Sequence, residues 1–396
     1  MTPEHPAFRL VSRSKQTLCC VQGETPLAHR RPRARWALAI AFCVTLLAAC
    51  QPSEPVRIGF IGGLSGRVAD LGVAGRNGAQ LAIETLNAQG RTRYELRVDD
   101  DQHDAAKARG AVVSLAGQKV GFIVGPMTSA MAVAVVPEAN RLKLVMISPT
   151  ANTHELSGKD DYFFRVIADA PTGARQLAET LRQRGIASLA VLMDTKNRSY
   201  SESFGHACSE RFRERGGRVT AELNFESGAN VDLAALSARL LAEKPQAVLL
   251  ASSAVDAALI AQTLRRLSPN VGLAATPWAA TDQLIETGGR GVEGMLVPQA
   301  IDRESTAPPY LDFKRRYRER FGEDPGSGAI NAFDAVMMGA EALRRRSGSQ
   351  TLRDVLATPS IDWPGLQHTI ALDATGDNAT PIFMTEVRGG RFASIR

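Results

Sequence analysis

The stretch "VRIGFIGGLSGRVADLGVAGRNGAQLAIETLNAQG" (residues 56–90) decides the fold. Its first part, "VRIGFIG" (56–62), is a short apolar run ending at glycine, and reads as a buried strand. In "GRNGAQLAIETLNAQG" the residues Ala79, Ala82, Ile83 and Leu86 recur at helical spacing and make one apolar face. Gly90 stands where a C-terminal cap is expected. A buried strand feeding an amphipathic helix is the opening unit of a parallel sheet covered by helices.

The alternation continues. "YELRVDD" is a strand, 104–117 a helix, "VGFIVG" a strand, 128–141 a helix and "LVMISP" a strand. A second series follows "YFFRVIAD": "SLAVLMD" (188–194), a helix over 200–215, "RVTAELNF", a helix over 231–243, "AVLLAS", a helix over 255–267, "VGLAAT" and "EGMLVP". Two such series predict an α/β protein with two lobes of similar build. The turn-rich "DRESTAPP" (302–309) and "GEDPGSG" (322–328) bracket a helix rich in arginine and aromatics. No low-complexity linker separates the lobes, so the chain is expected to cross between them more than once.

Ahead of the lobes stands the basic cluster "RRPRAR", then a fourteen-residue apolar run (36–49) that closes on "TLLAAC" (45–50). Cations, a short apolar core and small residues describe a secretory signal peptide, 1–49. A spanning helix needs about 20 apolar residues, more than this run offers. Leu47-Ala48-Ala49-Cys50 resembles a bacterial lipobox, which implies a lipidated Cys50 as the mature N-terminus and a linker over 50–55. An ordinary signal cut near Ala49 is the plainer alternative. Position 51 is Gln rather than Asp, so a simple inner-membrane retention signal is missing. Residues 1–29 exceed the usual length before such a run, and translation starting at the codon of Val21 or Leu27 would remove the excess.

The chain carries 47 Lys+Arg against 41 Asp+Glu. Seven of those cations and two of the acids precede Cys50, leaving 40 against 39, so nothing argues for a nucleic-acid partner. After Cys50 only Cys208 remains, which allows no disulfide within the domain. About 345 residues exceed a usual single core, again favouring two lobes. Catalytic signatures are missing: no phosphate loop, no G-x-S-x-G elbow, and Gly158 where "HEL" (154–156) would need a second zinc-binding His. No cofactor or metal is expected. "DDDQHD" (99–104) admits two readings, a divalent-cation site or a strand end followed by an aspartate-capped helix.

The 56–90 stretch also resembles the opening of the leucine/isoleucine/valine-binding protein family, the extracytoplasmic solute-binding proteins of branched-chain amino acid ABC transporters. "VDDDQHDAAKA", "VGFIVGPMTSA", "LVMISPTANTHEL", "YFFRV", "VEGMLVP", "DFKRRYRERFGEDPG" and "NAFDAVMMGAEAL" follow in the family's order over 56–396. The resemblance implies a two-lobed periplasmic-binding-protein type I fold, each lobe a mostly parallel sheet flanked by helices, joined by three crossings. Lobe one would comprise 55–168 with 298–365, and lobe two 169–297 with 366–396. Closure over a ligand would turn binding energy into a hinge motion.

Ser129 reads as the N-cap of a helix at the carboxyl end of a parallel strand, a place suited to an anion. The resemblance implies that Ser129 binds a carboxylate, that Thr150, Ala151 and Asn152 contact ligand from the next loop, and that Tyr200 covers it. Met127 precedes the serine, and Leu71 replaces a usual aromatic. Where the family supplies an acid for the ammonium, this chain has Pro277 or Trp278, with Asp282 further on. The family's cysteine pair corresponds to His103 and Thr128. Trp278 offers an apolar or cation-binding face instead. The implied ligand-binding set is Leu71, Met127, Ser129, Thr150, Ala151, Asn152, Tyr200 and Trp278. An amino acid, a related carboxylate or an amide all suit it.

The expected function is a non-enzymatic, lipid-anchored periplasmic receptor with an inner-membrane ABC permease as partner. The rival is an envelope lipoprotein using the fold as a regulatory or interaction scaffold, for example a peptidoglycan-synthase activator.

Overall fold

A computed structural model describes residues 54–395; the signal segment and Cys50 lie outside the described residues. The first series forms β1 (Val56–Gly62), α1 (Ala69–Ala88), β2 (Tyr94–Asp100), α2 (Ala105–Gly117), β3 (Ile123–Val124), α3 (Ser129–Leu142), β4 (Met146–Ser148) and β5 (Phe163–Arg165). Its strands are parallel, in the order β2-β1-β3-β4-β5.

The second series forms α4 (Ala170–Gln183), β6 (Ser188–Asp194), α5 (Arg198–Glu214), β7 (Arg218–Phe225), α6 (Leu233–Leu241), β8 (Ala247–Ala251), α7 (Ala254–Leu267), β9 (Gly272–Ala275), α8 (Asp282–Gly288) and β10 (Leu296–Gln299). Then come α9 (Pro308–Phe321), α10 (Ser327–Arg345), α11 (Leu352–Leu356), the ribbon of β11 (Asp362–Pro364) and β12 (Thr369–Ala371), and the hairpin of β13 (Phe383–Arg388) and β14 (Arg391–Ser394). The second sheet runs β14-β13-β10-β9-β8-β6-β7, parallel except at β13 and β14.

The central strands β1, β6 and β8 read as mostly apolar runs because both faces of each sheet are covered there. Leu189, Val191 and Met193 of β6 share one core with Leu177 of α4 and Phe204 and Phe212 of α5. The alternate residues Ala190 and Leu192 join Leu236 and Ile260 of α6 and α7. In β1 the same alternation sends Ile58 and Phe60 one way and Ile61 the other.

Helix α1 starts at Ala69, six residues before the expected Gly75. Gly78, inside this helix, serves packing. A Cβ at Gly78 would lie 2.0 Å from the Ala329 carbonyl oxygen of α10, so only glycine lets these helices approach so closely. The aspartate cluster behaves as a strand end and cap. Asp104 accepts from the N–H groups of Ala106 and Lys107, while Asp100 accepts from Leu64 and Gln102.

The chain passes between the sheets after β5, after β10 and before β13. Residues 366–380, expected in lobe two, are held beside the first lobe: Ile370 pairs with Trp363 in the separate β11–β12 ribbon, Leu366 N–H donates to Asp334 of α10, and Asn378 Nδ2 donates to the Val166 carbonyl. The return begins at Phe383, which pairs with Gln299. The crossings are bonded to one another. The buried Arg165 side chain bridges to Asp377 at 2.6 Å, and its N–H donates to the Gly376 carbonyl. Asn378 and Thr380 both donate to the Val166 carbonyl, and Gln367 exchanges two bonds with Asp302.

Candidate functional site

Each sheet reverses its winding once, between β1 and β3 in the first and between β6 and β8 in the second. Loops leaving the carboxyl ends of strands diverge at such a point and leave a crevice. β3 delivers Met127 through Gly125, whose φ is +117° and whose Cβ, if present, would meet the Ile61 carbonyl oxygen at 2.2 Å. Met127, Thr128, Ser129, Thr150 and Asn152 line the cleft from the first lobe. Asn197, Tyr200, Pro277 and Trp278 line it from the second, and Ile167, Gln299 and Ala300 from the crossings. Sixteen residues line the cleft, whose empty space of about 510 Å³ is partly open to solvent, and none of them carries a charge.

Seven of the eight residues singled out from the sequence line this cleft: Leu71, Met127, Ser129, Thr150, Asn152, Tyr200 and Trp278. Ala151 does not. It is buried, and its N–H donates to Ser148 Oγ at 2.9 Å, so it fixes the loop.

Ser129 is not the N-cap of α3. Thr128 holds that position in extended conformation without a side-chain cap bond, and Ser129 is the first helical residue. Asn197 reaches across from the second lobe instead, its Oδ1 accepting from Ala130 N–H at 2.9 Å. Ser129 Oγ is thereby left to the neighbouring loop, where it accepts from the N–H groups of Asn152 and Thr153, each at 3.2 Å. With both lone pairs engaged, its own proton remains for an acceptor.

Around it the polar groups are unevenly used. Thr150 Oγ1 donates to the Met127 carbonyl at 2.5 Å. Asn152 Nδ2 donates to the Ala168 carbonyl, whereas its buried Oδ1 has no partner among the described residues. Thr128 Oγ1 and the Tyr200 hydroxyl are buried and unpartnered in the same way. Burial pushes the Tyr200 phenol well above its ordinary value, so it stays neutral. Tyr200 meets Trp278 edge-on, with ring centroids 6.0 Å apart at 85°.

The acids stand elsewhere. Asp282 begins α8 and pairs with Arg303 at 3.2 Å, away from the lining. Asp70 accepts from Thr281 Oγ1 at 2.5 Å, linking the lobes, and burial raises its carboxyl. Further links cross between the lobes: Arg67 to Asp256 at 2.7 Å, Thr153 Oγ1 to the Ser199 carbonyl at 2.7 Å, and His154 N–H to Ser203 Oγ at 3.3 Å. The lobes are therefore closed on the cleft.

Sequence reasoning missed Asn197, Gln299, Ser327 and Asn331, all of which line the cleft. Each is a single polar residue on an element whose local pattern says only strand or helix. Their convergence depends on the crossings, which no local signal encodes.

Residues 55–391 match the family described as periplasmic binding protein. The Leu/Ile/Val-binding protein homolog 3 of Brucella melitensis is 23% identical over 361 residues, covering 87% of this chain and 94% of that one. Among solved structures, a leucine binding protein of Thermotoga maritima is 24% identical with a TM-score of 0.79, covering 86% of this chain and 98% of that chain. A solute-binding protein of R. palustris in complex with benzoate is 17% identical with a TM-score of 0.78, covering 86% and 96%. At these identities the structural likeness speaks for the fold.

Proposed function

From the premise that this chain belongs to the periplasmic binding protein family, whose members here are binding proteins and not enzymes, we propose that it is the lipid-anchored solute receptor of an ABC importer. Its solute is a small carboxylate or amide with an aliphatic or aromatic body and no free ammonium. The observation that carries this reading is the lining: two lobes close on a cleft with sixteen residues and no acid among them. Burying an ammonium there without a counter-charge would cost several kcal/mol. Trp278 and Tyr200 offer an aromatic wall in its place. That one relative holds benzoate is consistent with such a solute. A permease in the inner membrane is the partner to which a closed receptor delivers. The lipid on Cys50 rests on the sequence alone; Cys50→Ala should release the protein from the membrane fraction, and unchanged attachment would refute the anchor.

The experiment is a thermal-shift panel of amino acids, aromatic and aliphatic carboxylates, and small amides. A ligand at about 100 times its dissociation constant adds roughly 2.7 kcal/mol, a visible rise in melting point. Hits confined to solutes without an ammonium support the reading. A branched-chain amino acid as the best hit would overturn it. Silence from a folded protein across the panel would favour the scaffold role instead.

A further inference from the structure

Resting on the receptor reading above, we infer that the group recognised in the cleft is a primary carboxamide carried on an aliphatic or aromatic body. Two neighbouring side chains set this pattern. Ser129 Oγ already accepts from two backbone N–H groups, so towards the cleft it can only donate. Asn152 Nδ2 donates to the Ala168 carbonyl at 3.1 Å, which fixes the amide's orientation and directs Oδ1 away from Ala168. That oxygen is buried with no partner among the described residues, and Asn152 lines the cleft. An amide oxygen only accepts. The backbone N–H of the same Asn152 is one of those held by Ser129 Oγ, so donor and acceptor stand side by side on one wall.

A primary carboxamide presents a carbonyl oxygen and an N–H side by side, and satisfies both. A carboxylate presents acceptors alone. One of its oxygens takes the Ser129 proton, and the other faces Asn152 Oδ1, oxygen against oxygen. The Ala130 N–H at the start of α3 is held by Asn197 Oδ1, and no Lys, Arg or His lines the cleft. Thr128 and Tyr200 keep unpartnered hydroxyls, which both donate and accept and so do not decide between the two classes. A site built to bond a ligand N–H rejects an analogue without it, because its buried acceptor is then left unpaired.

The test is calorimetric titration of the purified protein with pairs sharing one body: benzamide against benzoate, and isovaleramide against isovalerate, with leucine as the ammonium-bearing control. At pH 7 at least one amide is expected to bind, and at least tenfold more tightly than its acid. Asn152→Ala should bring that ratio near one by weakening the amide and sparing the acid. Should that variant not fold, wild-type protein decides. Acid affinity rising as the pH falls towards the ligand carboxyl's own pKa supports the assignment, since the undissociated acid presents the same acceptor–donor pair. Acid affinity that stays flat with pH overturns it. An acid binding as tightly as its amide overturns the carboxamide and leaves the receptor reading standing. Leucine binding more tightly than every amide and acid overturns both, as does silence from every probe with an intact melting transition.

Discussion

Arg67 and Asp256 lie 189 residues apart, and Nη1 of the first is 2.7 Å from Oδ1 of the second, joining one lobe to the other. Asp256 is almost fully buried and also accepts from Ser253 Oγ, while Arg67 gives a second bond to the Gly228 carbonyl. This pair exists only when the lobes are together, so it stabilises closure without touching solute.

Arg67→Ala should therefore weaken solute binding with an unchanged cleft. Arg67 is about a third exposed (36%), so screening reduces the bond to roughly 1–2 kcal/mol, a five- to thirty-fold loss of affinity. Titration at low and high salt checks it. Wild-type affinity should fall with salt and the variant's should not. Small-angle scattering of the variant should show a larger radius of gyration.

Ser129→Ala removes a donor to solute and the acceptor for two buried N–H groups at once. Affinity should fall by roughly 1–3 kcal/mol, and the fold should lose a similar amount through the unsatisfied loop. Thermal melting without solute separates the two effects, since only the second lowers the apo transition. Ser129→Thr, which keeps the hydroxyl, should recover most of the apo loss.

Asp334 of α10 is buried, and burial pushes its carboxyl up to about 8, opposed by the bond from Leu366 N–H. An unfolded aspartate ionises near 3.9. Between these values the folded state keeps a proton that the unfolded chain has released, so stability declines as pH rises. This contribution is complete below about pH 4 and fully lost above about pH 8. Asp334→Asn, neutral throughout, should melt higher than wild type at pH 8.5 and show a flatter profile from pH 5 to 8.5. A steeper wild-type loss on the acid side of this window would contradict it.

Trp278 lines the cleft, while Trp363 is fully buried and is not among the lining residues. Solute binding should accordingly shift tryptophan emission. Trp278→Phe should abolish the shift, and Trp363→Phe should leave it in place.

Much of this arrangement was legible in the chain because parallel strands covered on both faces, such as β6 and β8, leave unmistakable apolar runs. The loops bearing Ser129 and Thr150 were legible for the same reason, lying directly after such strands. The exact start of α3 was not. A cap supplied by Asn197, 67 residues away, replaces the local one and moves the boundary by one residue. Nor did the tail reveal its course. Thr369–Ala371 suits either lobe by pattern, and only the pairing of Ile370 with Trp363 in the separate ribbon decides.

The bonds among the crossings run from Arg165 to Asp377, from Asn378 and Thr380 to Val166, and between Gln367 and Asp302. None of these side chains faces the solute. The torsional stiffness of the joint is thus set by one group of residues and chemical selectivity by another. The same joint can serve clefts of quite different lining, so a change at Trp278 can alter selectivity and leave the joint intact.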